Sequence, residues 1–149
     1  MSDFILLTDY PASIHAEILQ AIIRNDETIV DIAEDAAIEL MSGYLNSRYD
    51  VSAIFAQRGA ARNPILLAFA KDIVLYDLYS AHAPQKISEN RVKRFERAIK
   101  WLEDVQAQHI NPVGLPPISV GDDGGSGSGS GNLATGIITA SNQKRNNHY

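Results

Sequence analysis

The chain has 149 residues, 45% of them hydrophobic, no cysteine and a formal net charge of −5. That length is enough for one domain with a buried core, and the missing cysteines exclude a disulfide frame, a thiolate metal site and a cysteine nucleophile. The charge is uneven: residues 1–50 carry ten acids against Arg24 and Arg48, whereas residues 51–117 carry nine bases against six acids.

The opening residues, MSDFILLTDYP, include Asp3 and only a short apolar run, so no secretory signal is expected and the chain reads as a cytosolic product. Thr8-Asp9-Tyr10-Pro11 is a helix-start signal. Ile14, Ile18, Leu19, Ile22 and Ile23 then recur at helical spacing, which predicts a first helix from about Pro11 to Ile23. Arg24-Asn25-Asp26 breaks it, and Asp26 is a capping type for the second helix. In that helix Ile29, Ala33, Ala36, Ala37, Leu40, Gly43 and Tyr44 mark the expected packing face. Asp31, Glu34, Asp35 and Glu39 form the expected solvated face. The connector Val51 to Arg62 tucks Ile54 and Phe55 inward and ends in an exposed loop, Gln57 to Arg62.

Asn63 to Tyr79, NPILLAFAKDIVLYDLY, is the centre of the chain. Asn63 is an N-cap residue and Pro64 suits the first helical position. Beyond them apolar side chains point to every side, and a helix apolar all round is a buried one. It is too short and too charged to span a membrane. Ala83-Pro84 stops it near His82. Ser88 then caps a last helix with a stripe of Val92, Phe95, Ile99, Leu102 and Val105. Trp101 lies off that stripe, as a boundary or interface residue.

These elements predict an all-α fold: a four-helix bundle-like domain over residues 1–117 around a central buried helix. Residues 118–149 are expected to be a Gly/Ser-rich linker and an extended C-terminal arm. The linker GDDGGSGSGSG has the composition of a flexible tether. The arm, NLATGIITASNQKRNNHY, is too short to offset its own ordering entropy. Ile137 and Ile138 are expected to give strand or groove contacts on another chain, with Lys144 and Arg145 meeting acidic side chains there.

No catalytic, cofactor or metal residues are expected. His15, His82, His109 and His148 lack metal-ligand spacing, and no phosphate loop, dinucleotide fingerprint or nucleophile elbow occurs. Asp72 and Asp77 are the acids of the central helix, but five residues put about 140° between them, too much for one shared substrate. Asp72 is expected to form a structural ion pair with Arg48 or with an arginine from Arg91–Arg97. The basic run Lys86–Lys100 is a weak phosphate-binding signal, interrupted by Glu89 and Glu96.

Four segments, GYLNSRYD (Gly43–Asp50), RNPILLAFAKDIVLYDLY (Arg62–Tyr79), RVKRFERAIKWLEDVQ (Arg91–Gln106) and SNQKRNNHY (Ser141–Tyr149), together resemble a family of tailed-phage proteins. That family occurs in the head-morphogenesis and neck gene clusters of Mu-like phages, here in the branch found in Bacteroidetes-type prophages. The resemblance implies a head–tail connector or adaptor: a ring under the portal protein that docks neck or tail-terminator proteins and lets DNA pass without specific binding. No catalytic residue is implied. The expected setting is the virion neck, with host cytoplasm during assembly and no membrane. Arg94, Arg97 and Lys100 are the expected subunit contacts on the last helix, facing an acidic neighbour in a cyclic homo-oligomer. The alternative is a helical nucleic-acid-binding or regulatory module that uses the Lys86–Lys100 face.

Overall fold

A computed structural model describes residues 3–119. Among them five α-helices form: α1 (Ala16–Ile23), α2 (Thr28–Leu45), α3 (Val51–Phe55), α4 (Pro64–His82) and α5 (Glu89–Gln106). The described residues are all-α apart from one isolated antiparallel bridge between Tyr49 and Pro117.

The central element is α4, which packs against α1, α2 and α5. Its start is set locally: the Asn63 side chain accepts from the Ile65 and Leu66 N–H groups at 3.0 and 3.2 Å, with Pro64 behind it. Leu66, Phe69, Ala70, Ile73, Val74, Leu75 and Leu78 are all buried, as an all-round apolar helix requires. On α5, Ser88 accepts from the Arg91 N–H, and Ala98, Leu102 and Val105 are the fully covered positions. Trp101 is half-buried, its ring 5.2 Å from that of Phe69.

The expected first helix is in fact two pieces. Leu7–Ala12 is a 3-10 segment and α1 begins only at Ala16. The Ser13 and Ile14 N–H groups both bond to the Tyr10 carbonyl, and this turn directs Tyr10 and Ile14 into the core.

The second difference lies in α2, which is rotated from its expected orientation. The buried stripe is Val30, Ala33, Glu34, Ala37, Met41 and Leu45. The expected positions Ala36, Leu40 and Gly43 are exposed. Most of the true stripe lies one residue further on, a turn of about 100° around the axis. Ala33 and Ala37 give α4 a close approach, whereas nothing lies within 4 Å of a Cβ built on Gly43.

The connector holds another correction. Ile54 and Phe55 are buried as expected, but on a short helix capped by Asp50, which accepts from the Ala53 N–H at 2.9 Å. Arg62 is not part of an exposed loop: its side chain is 10% exposed and turned inward. The described chain closes beside the end of α2, where the Ile118 N–H bonds to the Arg48 carbonyl and Leu115 covers the core.

Candidate functional site

Charged side chains that reach inward gather at two places. The first is the seam between α4 and α5. Asp72 is 4% exposed, and its carboxylate lies 3.6 Å from both Arg94 Nη1 and Arg97 Nη2. Both arginines sit on α5 one turn apart, the spacing at which side chains share a helix face. Aromatic contacts line the same seam. Tyr76 stacks on Phe95 at 4.1 Å, Arg97 lies over Phe69, and Arg91 lies over Tyr79. The sequence expectation admitted Arg48 as a partner of Asp72. Arg48 lies instead over the Tyr49 ring, because the chain leaves α2 there and turns toward Pro117.

The second place ties the N-terminal segment to the bundle. Arg62 donates from Nη1 and Nη2 to the two oxygens of Asp9, at 2.6 and 3.2 Å, and also to the Phe4 carbonyl. Asp9 accepts in addition from the Leu6 N–H, and Lys71 Nζ donates to the Asp9 carbonyl. The Arg62 guanidinium holds the Asp9 carboxyl below the ordinary carboxylate range, and Asp9 raises Arg62 in return. One residue on, the Tyr10 hydroxyl donates to Glu34 Oε1 at 2.7 Å, with both side chains buried. Burial pushes the Glu34 carboxyl up to about 7, against the pull of the Tyr10 hydrogen bond and with help from Asp31, Asp35 and Asp9. Burial, and the Glu34 charge beside it, raise the Tyr10 hydroxyl far above its usual value.

Sequence reasoning placed Glu34 on the solvated face and missed Asp9, Tyr10 and Arg62 altogether. A usable signal existed for Glu34, which stands four residues after Val30 and three before Ala37. The Asp9–Arg62 pair joins residues 53 apart and has no local signature.

On the outer face of α5 the cations are largely matched by acids of the same chain. Lys93 pairs with Glu89 and Lys100 with Asp104, each at 2.6 Å, and Arg94 and Arg97 face Asp72. The Lys100–Asp104 hydrogen bond raises the lysine and lowers the carboxyl. His15, His82 and His109 are exposed, and no group of three or more metal-ligating side chains occurs among the described residues. No helix among these residues is long and apolar enough to cross a membrane. Ile137, Ile138, Lys144, Arg145 and His148 lie outside the described residues, as does the Gly/Ser stretch.

Exposed large apolar side chains stand singly or in sequence pairs at Leu6, Leu7, Ile18, Ile65, Val113 and Ile118, and two more share one face of α2. Ile32 is 68% and Leu40 39% exposed, with Ala36 between them. Beside Ile29, Ile32 and Ala36 runs a groove of about 410 Å³, closed on its other side by Leu78 and Ala81 of α4. Asp77 also lines it, and burial alone raises that carboxyl.

This is an all-α domain whose inward-turned charges tie its elements together and whose helix α2 carries an exposed apolar stripe. The family model for Bacteriophage Mu Gp36 matches residues 5–116, nearly the whole described domain, and the chain belongs to this family of Mu-like phage proteins. No curated protein matches the chain, and no solved structure does.

Proposed function

We propose that this chain is a phage structural protein, the subunit of a head–tail connector or adaptor ring between portal and tail. The observation that carries the reading is membership of the Mu-like phage family over residues 5–116. Its motif quartet is that of the Bacteroidetes-type prophage branch. The subunit acts without catalysis: it meets further copies of itself in a cyclic homo-oligomer, rests on the portal protein and presents a surface to neck or tail-terminator proteins. DNA passes through the ring without specific binding. The site of action is the virion neck, reached by assembly in host cytoplasm.

The exposed apolar stripe of α2 supports an assembling subunit, since contiguous exposed apolar surface marks interaction sites. Arg94, Arg97 and Lys100 remain in this reading as subunit contacts at the edge of α5. The alternative, a nucleic-acid or regulatory module on the Lys86–Lys100 face, has the geometry against it. Cations already paired to carboxylates release fewer counterions from DNA. Electron microscopy of phage particles with this protein gold-labelled tests the proposal. Several copies in a ring at the neck are expected, and a single copy or a two-fold dimer overturns it. In solution, duplex DNA binding that falls steeply between 50 and 200 mM salt, by roughly the factor of 10³ expected of a several-phosphate binder, favours the alternative.

A further inference from the structure

The groove between α2 and α4 is built from two kinds of surface. Ile29, Ile32, Ala33 and Ala36 face Leu78 and Ala81 across it, with His82 also on its lining, in a mostly apolar groove of about 410 Å³. Into it comes Asp77, a partly buried carboxylate with no hydrogen bond or ion pair among the described residues. A carboxylate half out of water beside apolar walls favours a cationic, apolar partner, because such a partner removes the walls from water and matches the charge. The flank of α2 beyond Ile32 adds Asp31, Asp35 and Glu39, all negative.

One segment of the chain has the matching chemistry. Ile137 and Ile138 are adjacent aliphatic side chains, and Lys144 and Arg145 follow each of them seven residues later. Seven residues span about 10 Å coiled and about 23 Å extended. That range brackets a cation set beside the apolar pair at Asp77 and one set along the acidic edge of α2. The tether also suits. The described chain ends beside Arg48, next to the C-terminal end of α2. The groove lies toward the other end, about 20 Å away along the thirteen residues from Leu45 back to Ile32. A Gly/Ser-rich tether of seventeen residues, the length of segment 120–136, reaches about 21–25 Å root-mean-square. Effective concentration is greatest when reach matches span.

We propose that the α2–α4 groove is the docking site of the chain's own C-terminal segment, residues 132–149. Ile137 and Ile138 cover Ile32 and Ala36, and Lys144 or Arg145 meets Asp77. From sequence alone these four residues are expected on another chain, because so short a segment does not order alone; the groove offers a receptor on the same chain. The inference concerns the free chain and does not rest on the connector reading. Exchange of the same segment between neighbours is a low-cost route from a closed subunit to a linked one.

The chain contains no cysteine, so Ser141→Cys provides a unique attachment point for a nitroxide on the full-length protein. With label and ¹⁵N on the same dilute molecule, the amides of Ile32, Ala36 and Ala81 are expected to broaden relative to the reduced label. Ile138→Asp should abolish the broadening, and Asp77→Asn should at least halve it while the remaining amide spectrum stays in place. Unlabelled ¹⁵N chains mixed with labelled ¹⁴N chains should show none. Absence of broadening at the groove overturns the proposal, and so does broadening seen only in the mixture, which puts the segment on a second copy. Either result leaves the copy number in particles, and so the connector reading, untouched.

Discussion

At the residue scale, the two inward charge clusters differ in which partner is trapped. Asp72 is buried, while Arg94 and Arg97 keep 43% and 65% of their side chains exposed. Removing the carboxylate therefore releases two arginines that water can reach, whereas removing both arginines strands a buried charge. Asp72→Asn is expected to cost about 1–2 kcal/mol and the Arg94→Met/Arg97→Met double variant about 3 kcal/mol or more, read from urea unfolding. Equal costs would show that the seam is held by packing rather than by charge. Glu34 carries the pH dependence. Its folded pKa, raised to about 7, lies above the ordinary glutamate value near 4.3. The folded state thus binds the proton more tightly, and this contribution is complete below pH 4 and lost as pH rises toward and through 7. The full loss is on the order of 3–4 kcal/mol. Glu34→Gln, which keeps an acceptor for Tyr10, should match the parent near pH 4 and exceed it by about that amount at pH 8. Denaturation midpoints of the two proteins that stay parallel from pH 5 to 8 would refute the assignment. Asp9 runs the other way: its lowered pKa gives stability that is present above about pH 4 and disappears as acid protonates it.

At the element scale, the orientation of α2 decides most of the surface. Ala37 is fully buried and Ala36 exposed, although both fall on the face the periodicity predicts. Ala37→Leu should therefore overpack the α2–α4 contact and cost about 1–3 kcal/mol. Ala36→Leu is expected to change stability by no more than about 0.5 kcal/mol. Thermal melts of the pair test the orientation directly, and a reversed order would mean that α2 buries its other apolar face. The caps need no such test to be understood. Asn63, Ser88 and Asp50 each satisfy N–H groups that a helix start leaves open. Each is a local device that works wherever the helix packs.

At the scale of the whole molecule, the buried core runs from Phe4 to Leu115 and closes on itself, with Leu115 and the Ile118–Arg48 bond sealing the end of α2. A chain ended before Gly121 is expected to keep one cooperative unfolding transition with a melting temperature within a few degrees of the parent and, under the connector role proposed above, to fail in ring or neck assembly. Infectious particles built from the shortened protein would show that the arm is dispensable. Loss of the transition would show that the arm belongs to the core.

Much of this architecture was legible in the sequence because it depends on neighbours along the chain. The central helix is apolar on all sides and Asn63-Pro64 marks its start, so its extent and its burial need no tertiary information. The same holds for the Ser88 cap and the apolar stripe of the last helix. The orientation of α2 was not legible. Ile29, Ile32, Ala36 and Leu40 make as good a stripe as Val30, Ala37, Met41 and Leu45, and periodicity cannot choose between two apolar faces. Only contact with α4 decided which was covered, and with it the burial of Glu34 and the exposure of Ile32. The Asp9–Arg62, Tyr10–Glu34 and Asp72–Arg97 contacts were likewise settled in three dimensions. An ion pair across 53 residues leaves no periodic trace, since its strength depends on distance and burial, which the fold alone sets.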